Sequence, residues 1–144
     1  MIGTNYKLSN VLAAIGLSQM ERIDELLKKR IELAENYIGL LSGIDGIELP
    51  DKVKDCKHSY QSFCIFIKKR DEILKKMRDT GTEVQIGTYS LHKHLAFQNK
   101  QISRLEGPFL SSDYVFDHCL ALPLYHTLSF DQQILIKDQL ISLL

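Results

Sequence analysis

The sequence lacks the features that mark secreted, membrane-spanning or nucleic-acid-binding proteins. Its three cysteines, Cys56, Cys64 and Cys119, are odd in number and form no CxxC pair, which argues against a disulfide framework and favours a reducing cytoplasm. Cys64 and Cys119 lie in apolar runs, which is typical of small buried hydrophobes. No apolar run approaches about 18 residues, so we expect no transmembrane helix. Residues 1–5 have no basic or apolar segment, so we expect no signal peptide.

The charge balance gives no support for a strongly charged partner. Lys and Arg total 18, and so do Asp and Glu, which leaves a formal net charge of zero. We therefore expect no nucleic acid and no anionic membrane as the main partner.

Familiar catalytic and metal-binding motifs are missing as well. The sequence contains no GxSxG, P-loop, GxGxxG, paired-carboxylate, HExxH or Cys-pair zinc spacing, so no metal site is assigned. The pairs Cys56-x-His58 and His92-x-His94 could bind a metal only by chance. Cys56 and His58 could also form a nucleophilic pair, although a surface loop before a strand is the favoured interpretation.

A long helix is predicted at the beginning of the chain. Ser9 is a suitable N-cap and Ser42-Gly43 a suitable stop. Between them one stripe recurs at helical spacing, formed by Leu12, Ile15, Gln19, Ile23, Leu26, Arg30, Leu33, Tyr37 and Leu41. About 33 helical residues span roughly 50 Å. A compact domain of this length is only roughly 37 Å across, so the helix overhangs its domain unless it breaks, for example near Gly16.

The first half of this helix predicts a missing partner. Residues 11–17 are apolar nearly all round. A helix of that kind is buried against something, and the remaining chain offers little cover. We therefore expect another domain or another subunit to lie against it.

The rest of the chain alternates between strands and helices. Strands are predicted at residues 63–67, 83–89 and 120–122, and helices at 71–80, 112–119 and from the capping box Ser129-x-x-Gln132 to about Leu143. This order predicts an α+β fold, with a small three-stranded sheet, helices on one face and the long N-terminal helix. We divide the chain into a lead-in and linking helix, residues 1–42, and a small α+β domain, residues 43–144.

Four segments carry polar or aromatic residues where helices and strands begin or end. They are residues 3–9 (GTNYKLS), 58–63 (HSYQSF), 81–92 and 122–129 (LPLYHTLS). The first combines a Gly turn, an amide and a cation before a helix N-terminus, which is a natural anion site. An Asn turn with a solvated lysine is the alternative interpretation.

In this order the segments resemble the C-terminal region of the DegT/DnrJ/StrS family of sugar aminotransferases. The resemblance covers essentially all 144 residues. The family pattern begins with GxNYRM(S/T), AAIG and QL, which correspond to residues 3–9, 13–16 and 19–20. It continues with HSY, RDxL and PLH, which correspond to residues 58–60, 70–73 and 91–92. It ends with LPLY, LS and Q, which correspond to residues 122–125, 128–129 and 133.

The resemblance implies the C-terminal lobe of a fold-type-I enzyme that uses pyridoxal phosphate. Family members transfer an amino group, usually from glutamate, to a keto-sugar attached to a nucleotide. Their Schiff-base lysine, the Asp facing the pyridine nitrogen and the stacking aromatic lie in a large N-terminal domain. No lysine here sits in a matching motif, so no catalytic residue is assigned. We expect the chain to be inactive and to bind no cofactor alone, and to work in the cytoplasm with a missing large domain or as a homo-oligomer, such as a dimer.

Four residues are carried over as site residues by the resemblance. Asn5 matches the Asn that reaches the cofactor phosphate of the neighbouring subunit. Lys7 replaces the Arg that faces anionic substrate groups, which keeps the charge but loses the bidentate fork. His92 and Tyr6 are assigned to substrate binding. The alternative hypothesis is a non-catalytic binding or dimerisation module that uses the apolar helix at residues 11–17.

Overall fold

A computed structural model describes residues 8–98 and 103–144. Its helices are α1 (Asn10–Met20), α2 (Ile23–Leu41), α3 (Arg70–Asp79), α4 (Leu110–His118) and α5 (Phe130–Ile141). Its strands are β1 (Ile47–Glu48), β2 (Phe63–Ile67), β3 (Gln85–Ile86) and β4 (Cys119–Leu122). Two short 3-10 turns, Leu91–Lys93 and Leu95–Phe97, follow β3. This set of elements confirms the predicted α+β class.

Within the described residues, the sheet has four antiparallel strands in the order β1-β2-β4-β3. The central pair aligns Phe63 with Leu122 and Ile65 with Leu120. The prediction of three strands is therefore wrong, because β1 adds a fourth through the pairing of Ile47 with Ile67. Two residues are too few to show the alternation of apolar and polar side chains, so β1 cannot be predicted from the sequence pattern.

One face of the sheet carries the hydrophobic core. Every second residue of β2 is buried, as is expected when one face of a strand packs inward. Helices α2, α3 and α5 cover this face and contribute the buried side chains Leu33, Tyr37, Leu41, Ile73, Met77, Ile136 and Leu140.

The opposite face is covered by α4. Phe66 points away from the core because it alternates with Ile65 and Ile67, and its ring stacks on Tyr114 of α4 at 5.8 Å. The prediction of helices on one face is therefore correct for α2, α3 and α5 and wrong for α4. The physical reason is that β2 is apolar at all five positions, so both of its faces need cover.

The predicted long helix is interrupted at Glu21 and Arg22. Arg22 leaves the helical region (φ −113°, ψ 7°), and its N–H bonds to Gln19 O at 3.1 Å, three residues back. Gly16 lies inside α1 and breaks nothing. Both residues at the break are good helix formers, so propensity does not predict this position.

The two halves of the interrupted helix have different surroundings. α2 places four side chains in the core, whereas no residue of α1 is buried. The large apolar side chains of α1 are all more than half exposed, namely Val11, Leu12, Ile15, Leu17 and Met20. Across residues 8–98 and 103–144, none of the helices has both the length and the apolarity to cross a membrane.

Candidate functional site

Of the four predicted site residues, the structure describes one. Asn5, Tyr6 and Lys7 lie outside the described residues. His92 lies in the first 3-10 turn after β3, where the chain passes over α4.

The imidazole of His92 is held by hydrogen bonds at both nitrogens. Nε2 lies 2.8 Å from Oδ1 of Asp113, and Nδ1 lies 2.8 Å from Oγ of Ser90. A carboxylate can only accept, so Nε2 carries the proton and a neutral ring accepts from the Ser90 hydroxyl at Nδ1. The ring also stacks on Phe109, with 4.3 Å between centroids. Three neighbours therefore fix the position, orientation and tautomer of His92.

A second hydroxyl extends this network into the protein. Ser90 is buried, and its Oγ lies 3.1 Å from Oγ of Ser112. Because Ser90 donates to His92, it accepts from Ser112. Ser112 and Asp113 both belong to the first turns of α4, so this helix positions the loop that follows β3.

Lys93 completes the polar cluster as an ion-paired lysine. Its Nζ lies 3.1 Å from Asp113 Oδ1 and 3.1 Å from both carboxylate oxygens of Asp117. The hydrogen bonds to Asp117 and then Asp113 raise the pKa of Lys93. The hydrogen bond from Lys93 is in turn the main reason that the pKa of Asp113 is lowered. Lys93 is therefore charged at neutral pH, and its nitrogen has no free lone pair.

The His92 cluster offers no free lysine amine for pyridoxal phosphate. That cofactor needs a lysine amine able to form a Schiff base, and the lysine of the His92 cluster is held protonated. Two more lysines, Lys52 and Lys57, line a cleft, but both lie on exposed loop surface. We therefore assign no step of cofactor chemistry to these residues.

This cleft has a volume of about 700 Å³ and lies between α2 and residues 50–64. Arg30 ties α2 to the loop before β2 by donating from Nη1 to the carbonyl oxygens of Tyr60 (3.2 Å) and Gln61 (2.7 Å). His58 accepts the Tyr60 N–H at Nδ1 (2.8 Å), which supports the left-handed backbone of Tyr60 (φ 45°). The structure thus gives His58 a role in the turn.

The described residues contain no group of three or more His, Cys, Asp or Glu side chains that could hold a metal ion. In the pair His92-x-His94, His92 binds Asp113, and Nδ1 of His94 accepts the Ala96 N–H.

Asp113 and Ser90 are the site residues that the sequence does not reveal. Asp113 is 21 residues from His92, and no motif links the two. Only the packing of α4 on the second face of the sheet brings them together.

Comparisons with known proteins agree on one family. The model of the DegT/DnrJ/EryC1/StrS aminotransferase family matches residues 1–140. UDP-4-amino-4,6-dideoxy-N-acetyl-beta-L-altrosamine transaminase of Campylobacter jejuni is 26% identical over 99% of this chain and 39% of the relative. Spore coat polysaccharide biosynthesis protein SpsC of Bacillus subtilis is 28% identical over 90% of this chain and 35% of the relative.

A solved structure gives the same picture of the fold. The sugar aminotransferase CalS13 of Micromonospora echinospora superposes with a TM-score of 0.83 and 26% identity, over 97% of this chain and 37% of that one. The chain therefore spans a little over a third of the length of the proteins that it matches. The matching part is the C-terminal portion of these proteins.

Proposed function

Because the chain belongs to the DegT/DnrJ/EryC1/StrS aminotransferase family, we propose that it forms the C-terminal lobe of a pyridoxal-phosphate-dependent aminotransferase of nucleotide-linked keto-sugars. The observation that carries the proposal is the family match over residues 1–140, together with a nucleotide-sugar transaminase among the relatives. The product would be an amino sugar for a cell-surface polysaccharide or lipopolysaccharide, made in the cytoplasm with glutamate as the amino donor.

In this proposal the chemistry belongs to a large domain outside the 144 residues. This chain matches only 35–39% of the length of these relatives, which leaves room for such a domain. The ion-paired state of Lys93 is consistent with this division of labour. The chain alone would then bind no cofactor and have no aminotransferase activity.

The proposed site residues act across a subunit boundary. Asn5 would donate its amide N–H to the cofactor phosphate of a neighbouring subunit, which makes a dimer the smallest active unit. Lys7 and Tyr6 would contact anionic or polar groups of the substrate. His92 would join them only if a substrate atom replaced Ser90 or Asp113 at one ring nitrogen, since both nitrogens are already bonded.

The exposed apolar surface of helix α1 supports the proposal that a large domain packs against this chain. Five apolar side chains in 11 residues face water, and such a surface is normally buried. We propose that residues 1–42 link the two domains, that α1 packs against the large domain, and that residues 43–144 form the small domain.

The first experiment tests the chain alone. The purified 144-residue chain is mixed with pyridoxal phosphate, reduced with borohydride and digested for mass spectrometry. We expect no specific lysine adduct and no transfer from glutamate to a nucleotide keto-sugar. A single modified lysine together with turnover would contradict the proposal that the chemistry belongs to the large domain.

The second experiment tests Asn5 in the complete enzyme. If the DNA upstream of Met1 encodes a large aminotransferase domain, the two parts are produced together. Asn5→Ala should then raise the Kd for the cofactor roughly tenfold to hundredfold, the effect of losing a hydrogen bond to a charged group. Asn10→Ala, at the exposed start of α1, is the matched control and should leave the Kd unchanged. Equal cofactor affinity in both variants would exclude the proposed role of Asn5.

The second candidate function is a non-catalytic dimerisation module, and the exposure of α1 is the observation that favours it. In that case the purified chain should form dimers through α1. Light scattering would show a concentration-dependent dimer that Leu12→Asp abolishes, whereas a monomer at high concentration would exclude this function.

A further inference from the structure

Two cysteines meet on the α4 side of the sheet. Cys64 of β2 pairs with Ala121, and Cys119 of β4 pairs with Phe66, so the two cysteines are diagonal neighbours on adjacent antiparallel strands. The alternation along each strand places both side chains on the same face.

Gly87 shows that the two sulfur atoms converge. A Cβ added to Gly87 would overlap Sγ of Cys119 and would lie 3.1 Å from Sγ of Cys64. The backbone of Gly87 is held in place by the bond from its N–H to Cys119 O, at 3.0 Å. A glycine is therefore required here by space, and the space is filled by the two thiols.

The two thiols differ in access to solvent. Cys64 is half-buried, and its thiol lies 3.7 Å from Oγ of Ser62. Cys119 is buried, and Nη1 of the buried Arg70 donates to its backbone carbonyl at 2.9 Å. A small reagent from solvent can thus reach Cys64 first.

The thiols also differ in acidity. A hydrogen bond from the Cys119 thiol lowers the pKa of Cys64, and this effect outweighs the opposing effect of burial. The same hydrogen bond, followed by burial, raises the pKa of Cys119. The thiolate is the nucleophilic form of cysteine, so the accessible sulfur is also the reactive one.

We propose that Cys64 is an oxidisable thiol site for hydroperoxides and that Cys119 is its resolving thiol. The Cys64 sulfur attacks a peroxide oxygen, so that an S–O bond forms, the O–O bond breaks, and the departing oxygen takes a proton to leave as water or an alcohol. The Cys119 sulfur then attacks the Cys64 sulfur, so that an S–S bond forms and the S–O bond breaks. The second leaving group is water, which carries away the Cys119 proton. Two thiols are oxidised and one hydroperoxide is reduced.

This site is independent of the proposed aminotransferase function. It uses only residues of β2, β4 and the loop after β3, and it needs no second domain. A disulfide between these strands would tie the two central strands of the sheet together beneath α4.

The test uses the full 144-residue chain with Cys56→Ser, which removes the exposed third thiol. One equivalent of hydrogen peroxide is added to the folded protein, and the product is analysed by intact mass and peptide mapping. We expect the loss of two hydrogens and one peptide that links Cys64 to Cys119, both reversed by dithiothreitol. Oxidation should be roughly tenfold faster than for the same chain in urea.

Two further variants assign the roles in the same background. With Cys119→Ser, Cys64 should stop at the sulfenic acid and be trapped by dimedone. With Cys64→Ser, Cys119 should remain a free thiol. The proposal is overturned if the linked peptide is absent, if only disulfides between chains form, or if Cys64 reacts no faster folded than in urea. Far-UV circular dichroism confirms that each variant is folded before oxidation.

Discussion

Leu12 and Leu33 occupy the same apolar stripe of the sequence, yet the structure predicts that only Leu33 loses much stability when it is replaced by alanine. Leu33 is 2% exposed and packs in the core, so Leu33→Ala should lower the free energy of unfolding by about 2–5 kcal/mol through lost burial and the resulting cavity. Leu12 is 57% exposed, and its helix contributes no buried residue. Leu12→Ala should therefore change the stability of the isolated chain by no more than about 0.5 kcal/mol.

Urea unfolding followed by circular dichroism measures this difference. With a slope of about 1–3 kcal/mol/M, Leu33→Ala should lower the unfolding midpoint by roughly 1 M or more, whereas Leu12→Ala should leave it in place. Equal losses in the two variants would mean that α1 is covered within a single chain, and the argument for a missing partner would fail. Repeating the titration at tenfold higher protein concentration separates self-association: a loss for Leu12→Ala that appears only there would identify a second copy as the cover.

Three further predictions concern single contacts. Gly87→Ala should destabilise the chain by about 1–3 kcal/mol in urea unfolding, because its methyl group would displace the two converging sulfurs. Tyr37→Phe should cost about 0.5–1.5 kcal/mol by removing the 3.1 Å bond to Pro123 O, whereas Tyr125→Phe on the surface should be neutral. The lowered pKa of Asp113 means that its carboxylate stabilises the fold above the ordinary pKa of 3.8 and loses this effect as the pH falls through the lower folded value. The thermal unfolding temperature of Asp113→Asn should therefore be lower than that of the parent chain at pH 7, and the two temperatures should become equal at a pH well below 3.8.

The elements with strong local patterns are those that the sequence predicts well. The apolar run at residues 63–67 matches β2 residue for residue. The capping box is present in atomic detail: Ser129 Oγ accepts the Gln132 N–H, and the Gln132 side chain accepts the Ser129 N–H. These signals are short-range, so they survive without knowledge of the tertiary fold.

The features that the sequence does not predict depend on contacts between distant residues. The pairing of Ile47 with Ile67 and the bond between His92 and Asp113 have no local signature. The same holds for the convergence of Cys64 and Cys119, since apolar character alone indicates burial and says nothing of which side chains meet. The sequence therefore indicates His92 as a candidate position, but it does not predict the hydrogen bonds from this residue to Ser90 and Asp113.

The two outermost strands, β1 and β3, have only two residues each. A sheet edge that short presents few unpaired N–H and C=O groups, and Glu48 adds a charge at one of the two edges. The sheet therefore offers a poor template for the addition of a strand from another molecule. If the isolated chain associates at high concentration, it should do so by helix packing and remain rich in α-helix, without the fibrillar cross-β products that open sheets promote.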